Sequence, residues 1–481
     1  MKNLIIICSL SLCFLSSCKT ESKFKQLPTG AIKHQLIVAA KTTKSVRARG
    51  FAGATPPGTT VYFEVGDAHA SVVSSPEGSF ILELLSPDIS SNFGVFNFTT
   101  KDNKKFVERY ELKNLTEALS LVASEALSAV PEISFITIHN DEALILSQQA
   151  ALLRRVKINS DWTLAQDSHE NILLNPKVQE APSPQMVDAR KNHAVVSLFN
   201  SSELGLVDLQ TNKLINNFKL DHKQTRSAQR IMALDDINYL VSFVNFDPAL
   251  NDESDSSKQY GPGVVALIEI NNNSIHANQI LVLPFKNPYA FKINPKNSQE
   301  VWVMCSGAYT NINKKDVAPK TIDAGLVKLN IFNKNINISK KIPLPDFTPA
   351  EFELVGDFLV VPEFLGNKLL VLKEDSQDLE PIEASYSRKF NFTLATHWHE
   401  DIVFLGDQSG ALVAYSLSDG FFPFPFSAPI NISKEEQIKF SPSQVIVKKQ
   451  EPEYHPGYGA WVVSHWQSKI IPLDFLKIFG P

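Results

Sequence analysis

Two histidines at alternate positions open the search for chemistry. In His397-Trp398-His399-Glu400-Asp401 both imidazoles would share one face of a strand, a spacing that a transition metal can use. No third ligand lies nearby in sequence. The segment precedes the second strand of a repeat described below, so it belongs to a turn on the far side from the lead-in loops and reads as surface histidines. Asp247, Asp252, Glu253 and Asp255 gather on one loop, as a hard cation would require. Their spacing fits no EF-hand loop and lacks its glycine, so solvated loop acidity accounts for them. Cys305 ends an apolar strand and reads as a buried structural thiol. His465 and Trp466 fall between two strands, where they could bind a ligand or fill a turn. In Phe421-Phe422-Pro423-Phe424-Pro425-Phe426 the prolines exclude a central strand, leaving inter-sheet packing or a partner patch. The chain contains no Gly-x-Ser-x-Gly elbow, His-Glu-x-x-His pair or phosphate-binding glycine loop. No catalytic residue, metal or cofactor is therefore assigned.

The elements that must position these residues come from a chain of 481 residues, 43% apolar and 20% charged, an ordinary globular mixture long enough for one large domain and a smaller one. A formal charge of −5 gives no basic surplus, so nucleic acid is not an expected partner.

At the N-terminus Lys2 precedes the apolar run from Leu4 to Leu15, too short for a stable bilayer span and suited to a signal-peptide core. It ends at Leu15-Ser16-Ser17-Cys18, which resembles the lipobox of bacterial lipoproteins. That resemblance implies that residues 1–17 are removed, that Cys18 is lipidated, and that the membrane is a partner through it. Lys19, rather than an acidic residue, leans the expected address toward the outer membrane. Cys8 and Cys13 would leave with the signal, so only Cys305 remains and no intramolecular disulfide can form.

Residues 18–31 are polar and Lys-rich and read as a tether. Residues 32–114 carry short apolar strands punctuated by Gly53-Ala54-Thr55-Pro56-Pro57-Gly58 and Pro76-Glu77-Gly78. This segment resembles the small immunoglobulin-like or carboxypeptidase-regulatory-like β-sandwiches of exported bacterial proteins, whose ordinary role is as a spacer. Residues 115–128 hold Glu117-Ala118-Leu119 and Glu125-Ala126-Leu127 without glycine or proline, which predicts a linker helix.

From residue 129 onward two landmarks recur. One is a proline leading an apolar strand, at Pro131, Pro184, Pro288, Pro349 and Pro442. The other is an apolar second strand: Ala143 to Ser147, Ala194 to Leu198, Tyr239 to Phe243, Val301 to Cys305, Phe358 to Val361, Ile402 to Leu405 and Ala460 to Ser464. The copies are about 45 to 60 residues apart, the period of a four-stranded propeller blade. Third strands follow, as in Gly205-Leu206-Val207-Asp208-Leu209 and Gly325-Leu326-Val327-Lys328-Leu329. With Pro184, Asn200 and Val207-Asp208-Leu209-Gln210-Thr211, these resemble the YVTN-type, lactonase-like seven-bladed propellers. The expected fold is all-β: an N-terminal β-sandwich followed by a seven-bladed β-propeller over residues 129–481.

The propeller fold implies that the lead-in to each first strand and the loop between strands two and three open on one face. Insertions at 245–262 and 306–324 then lie on that face in adjacent blades, like a built surface. The lead-in candidates for ligand binding are Gln185, Arg230, Tyr289, Glu351 and Gln444. The loop candidates are Asn200, Glu203, Asp247, Glu363, Asp407 and His465, which would make the face mainly acidic. Two functions remain open. One is a non-catalytic binding or interaction module on the cell envelope, taking an envelope protein or a polyhydroxylated ligand. The other is a lactonase-like or other hydrolytic enzyme with its site at the channel mouth.

Overall fold

The computed structural model describes residues 32–33, 37–41, 45–50, 53–85, 91–114, 127–128, 133–159, 164–174, 183–250, 255–310, 320–349, 351–364, 366, 368–374, 381–383, 390–399, 402–407, 411–416, 422–423, 430–431, 444–447, 460–464 and 469–473.

Two four-stranded sheets make the N-terminal unit. One contains Ile37–Lys41, Ser45–Gly50, Phe80–Leu85 and Lys113–Asn114; the other contains Thr60–Val65, Ala68–Val73, Phe93–Thr99 and Lys105–Glu111. Along Thr60–Val65 and Phe93–Thr99 every second residue is buried, the period of a sheet with one covered face. Phe63 stacks on Phe96 at 4.1 Å, and Phe80 from the facing sheet meets Phe96 edge-on at 6.1 Å, so aromatic rings fill the sandwich. The strand Ala68–Val73 escapes a reading by apolar runs because its side chains alternate between exposed and half-buried.

Seven further antiparallel sheets follow: five are four-stranded meanders, the sixth has five strands because Phe422–Pro423 and Ile430–Asn431 both pair with its third, and the seventh takes its fourth strand from Leu127–Ser128. Blades one to five begin at Ile133–His139, Pro184–Arg190, Ala228–Ala233, Pro288–Asn294 and Glu353–Val355. Blades six and seven begin at Phe390–His399 and Gln444–Val447. Each first strand packs on the first strand of the next blade. The seventh returns to the first, since Trp461, Val463 and Ile470 share a buried cluster with Ile136 and Ile145. The ring is closed: the chain folds as a seven-bladed β-propeller.

Second strands are buried on both faces, as in His193–Leu198 and Asn238–Phe243, because a neighbouring blade covers each side. That is why they read as unbroken apolar runs. First strands are half-covered and fourth strands largely exposed, as Ala228–Ala233 and Asn335–Pro343 show. Tight turns rely on asparagine in the left-handed region, such as Asn272 and Asn273 at φ 49° and 59°. Asp208 accepts from the amides of Gln210 and Thr211 and from the Thr211 hydroxyl at 2.7 Å, which fixes the Asp-x-x-Thr turn noted in the sequence.

Two expectations need correction. Leu127–Ser128 is a strand, not the end of a linker helix: it pairs antiparallel with Lys469 and Ile470 and supplies the fourth strand of blade seven. Residues 115–126 lie outside the described residues. His397 and His399 belong to the first strand of blade six, paired with Val403 and Ile402, rather than to the turn beyond it.

Candidate functional site

The mouth of the ring, where first strands begin, repeats one clamp in blades two to five. The residue just before or opening each lead-in offers its carbonyl to the amide that follows the second strand: Ser183 to Phe199, Ser227 to Val244, Asn287 to Ser306 and Thr348 to Phe364. Lead-ins and strand two-to-three loops therefore share one face. The first three of these carbonyl residues sit at positive φ, 48°, 55° and 54°, so the chain turns sharply into the strand.

A one-residue register shift interrupts the start of the first strand in blades one to four, between Ile133 and Phe135, Pro184 and Met186, Ala228 and Ile231, and Pro288 and Ala290. Such a bulge re-aims side chains at the edge of a sheet and leaves an amide outside the ladder. In blades two and three a serine of the second strand takes up that amide. Ser197 Oγ accepts from Met186 N at 3.0 Å and donates to Gln229 O in the next blade; Ser242 Oγ accepts from Arg230 N at 3.1 Å and donates to Pro288 O. Each hydroxyl thus joins two blades beneath the mouth.

Three lead-in candidates converge. Arg230 Nε donates to the Tyr289 carbonyl, its guanidinium lies 4.6 Å from the Tyr289 ring centre, and Nη2 reaches Glu351 Oε2 at 3.2 Å. Two residues missing from the sequence reading complete the group: Lys292 Nζ meets Glu353 Oε2 at 2.8 Å. A cation in the middle of Tyr289-Ala290-Phe291-Lys292-Ile293 was the available signal. Burial raises the Glu351 carboxyl above its usual range, against Arg230 and Lys292. Burial pulls Lys292 down, yet Glu353 and Glu351 outweigh it and the ammonium is held above its ordinary value. Burial also pushes the Tyr289 phenol to about 12. Two positive and two negative groups from blades three, four and five thus compensate one another.

The other two lead-in candidates serve local structure. Gln444 accepts from Ile136 N at 3.1 Å and donates to Ile136 O at 2.7 Å, stitching blade seven to blade one. Gln185 donates to Ser183 Oγ at 3.0 Å.

Among the loop candidates, Asn200 is exposed on the blade-two loop, and Glu203, half-buried, opens the third strand opposite Leu198 rather than standing on the loop. Asp247 is paired with Arg226 at 2.7 Å, so its charge is neutralised and the expected acidic ring is reduced there. Glu363 is half-buried, and burial raises its carboxyl. Asp407 ends the second strand of blade six. His465 and Cys18 lie outside the described residues. Asp255 caps a short 3-10 helix, Ser256–Gln259, by accepting from Ser257 N. Among the described residues no group of three metal-ligating side chains gathers. Cys305 is buried, and burial pushes its thiol up, away from the reactive thiolate.

The two insertions dock on each other. Phe246 bridges Tyr260 across the first, Ala308–Tyr309 pairs with Thr321–Ile322 in the second, and Ser256 Oγ donates to Tyr309 O at 2.6 Å between them. Their rings continue an arc across four blades: Phe199 to Phe246 at 6.4 Å, Phe246 to Tyr260 at 5.2 Å, Tyr260 to Tyr309 at 6.3 Å and Tyr309 to Phe364 at 6.4 Å. Gly325, opening a third strand, admits the Phe285 ring where a Cβ would stand 2.4 Å from it.

No family model matches the sequence, and no curated protein is significantly similar to it. Solved structures do resemble it. Hydrazine synthase of Kuenenia stuttgartiensis aligns at TM-score 0.50 with 8% identity, over 74% of this chain and 98% of that one. The Cps50 (Swd1) β-propeller domain of Myceliophteria thermophila aligns at TM-score 0.46 with 9% identity, over 73% and 99%. At such identity the resemblance concerns fold alone, and the ring rests on the strand pairing and packing described above.

Proposed function

We propose that the chain is a cell-envelope lipoprotein that acts as a non-catalytic binding module through the mouth of its propeller. The observation that carries this reading is the docking of the two insertions into one cap beside the channel, held by the Ser256–Tyr309 hydrogen bond. Loops that merely drift in length have no cause to pack on each other. Ion-paired groups beneath the cap favour recognition over turnover, because Arg230 and Lys292 are each engaged by a carboxylate.

The address rests on Leu15-Ser16-Ser17-Cys18, and the sandwich then serves as a spacer between lipid and propeller. Cys18→Ser should abolish acyl labelling and move the protein out of the membrane fraction; unchanged fractionation removes the lipid anchor from this account. The hydrolytic reading keeps one observation on its side, the raised carboxyl of Glu351 beside a cation. A screen of purified protein against lactones and esters separates the two. The binding reading expects no turnover. Reproducible turnover that is lost in a folded Glu351→Gln variant would replace it with an enzyme at the same mouth.

A further inference from the structure

We propose that the cap spanning blades two to five binds a neutral polyhydroxylated ligand, a short oligosaccharide, along its aromatic arc. The proposal deepens the binding reading above and rests on it.

Buried hydroxyls point to what is recognised. Tyr309 is 6% exposed and Ser306 1% exposed, yet among the described residues neither Tyr309 Oη nor Ser306 Oγ has a hydrogen-bond partner. Both lie on the blade-four insertion. Ser201 Oγ, on the blade-two loop at the other end of the arc, is also buried and unpartnered. Hydroxyls in such positions normally find a partner, so three on one face are donors and acceptors awaiting one. Burial pushes the Tyr309 phenol up, and the neighbouring Tyr289 and Tyr260 phenols add to the effect.

Rings and hydroxyls together select the ligand class. Half-buried Phe199, Phe246, Tyr260 and Phe364 offer apolar surface, while the hydroxyls ask for polar edges in return. A pyranose supplies both, C–H faces for the rings and hydroxyls at the rim. A purely apolar side chain would leave the hydroxyls unmet. Charge argues against an ionic ligand, because an anion would have to displace Glu351 from Arg230 and a cation would have to displace Lys292 from Glu353.

The test uses the full chain in a sugar-free detergent and saturation-transfer NMR with neutral tetrasaccharides: maltotetraose, cellotetraose, mannotetraose and N-acetylated chitotetraose. Tetragalacturonate and chitosan tetramer serve as anionic and cationic comparators. Transfer from aromatic protons to at least one neutral sugar is expected, in preference to both charged ones. Tyr309→Phe keeps the ring and deletes the hydroxyl, and should weaken that binding roughly fivefold or more, the worth of one hydrogen bond. The same substitution should leave the melting midpoint of the sugar-free protein unchanged or raised, since none of the described residues holds that hydroxyl. A lowered midpoint means that ordered water already satisfies it, and overturns the proposal. Binding undiminished in Tyr309→Phe and in Phe246→Ala also overturns it. If no neutral sugar binds while the mouth is shown to be occupied in cells, the ligand class fails and the working face survives.

Discussion

Arg230 is held from three directions, by a carbonyl, a ring and a carboxylate, and the same economy recurs outside the channel at Lys328. There Nζ bridges Glu300 at 2.5 Å and Glu374 at 2.7 Å, between blades four and five. The hydrogen bond from Lys328 holds the Glu300 carboxyl below its ordinary range. A lowered carboxyl adds stability above its unfolded value and loses it as pH falls through the folded one. Glu300→Gln should therefore melt earlier than the native chain at pH 7, with the gap closing toward pH 3. A gap that stays constant across that range would show that the pair contributes no charge-dependent stability. Residue identities at the mouth were partly legible from the repeat: Arg230, Tyr289 and Glu351 do converge. Lys292 and Glu353 were not: a bulge at the blade-four lead-in shifts the register by which Lys292 is counted, and Glu353 joins the group only through its spatial neighbour Lys292.

At the scale of elements, the second and third strands were the most legible, since both their faces are buried and apolar runs mark them without ambiguity. Leu127–Ser128 was the least. Two residues carry no periodicity, and their strand exists only because Lys469 and Ile470 offer an open edge far along the chain. Local helix propensity lost to that tertiary pairing. Gln444 opens the first strand of blade seven, as the repeat places it, and both its amide atoms are engaged by Ile136 across the closure. Gln444→Met keeps the length of the side chain and leaves two backbone groups unmet. A loss of about 1–3 kcal/mol for each group left unpaired is expected in urea unfolding. Unfolding at an unchanged midpoint would mean that the closure does not depend on this stitch.

For the whole molecule, the all-β class, the sandwich and the seven-sheet ring follow from strand composition and period, whereas the ion pairing at the mouth does not. Of the loop residues expected to make the face acidic, Asp247 is paired with Arg226, and that pairing, like that of Glu351 with Arg230, is a matter of spatial neighbours that no linear reading supplies. What the sequence showed was where extra chain had been inserted; what the fold adds is that the two insertions meet and carry a line of rings across four blades. The opposite face has a different construction, with paired turns such as Lys191–Asp236 at 2.5 Å and the exposed Phe332 at the end of a third strand. Hydroxyl-radical footprinting of the full-length protein, in intact cells and after purification, tests the central claim most directly. If the mouth is the working surface, Phe246, Tyr260 and Phe364 should be protected in cells and labelled once purified, with Phe332 and the sandwich residue Phe93 labelled equally in both. Equal labelling of the three mouth aromatics in the two samples, or protection confined to Phe332 or Phe93, would contradict it.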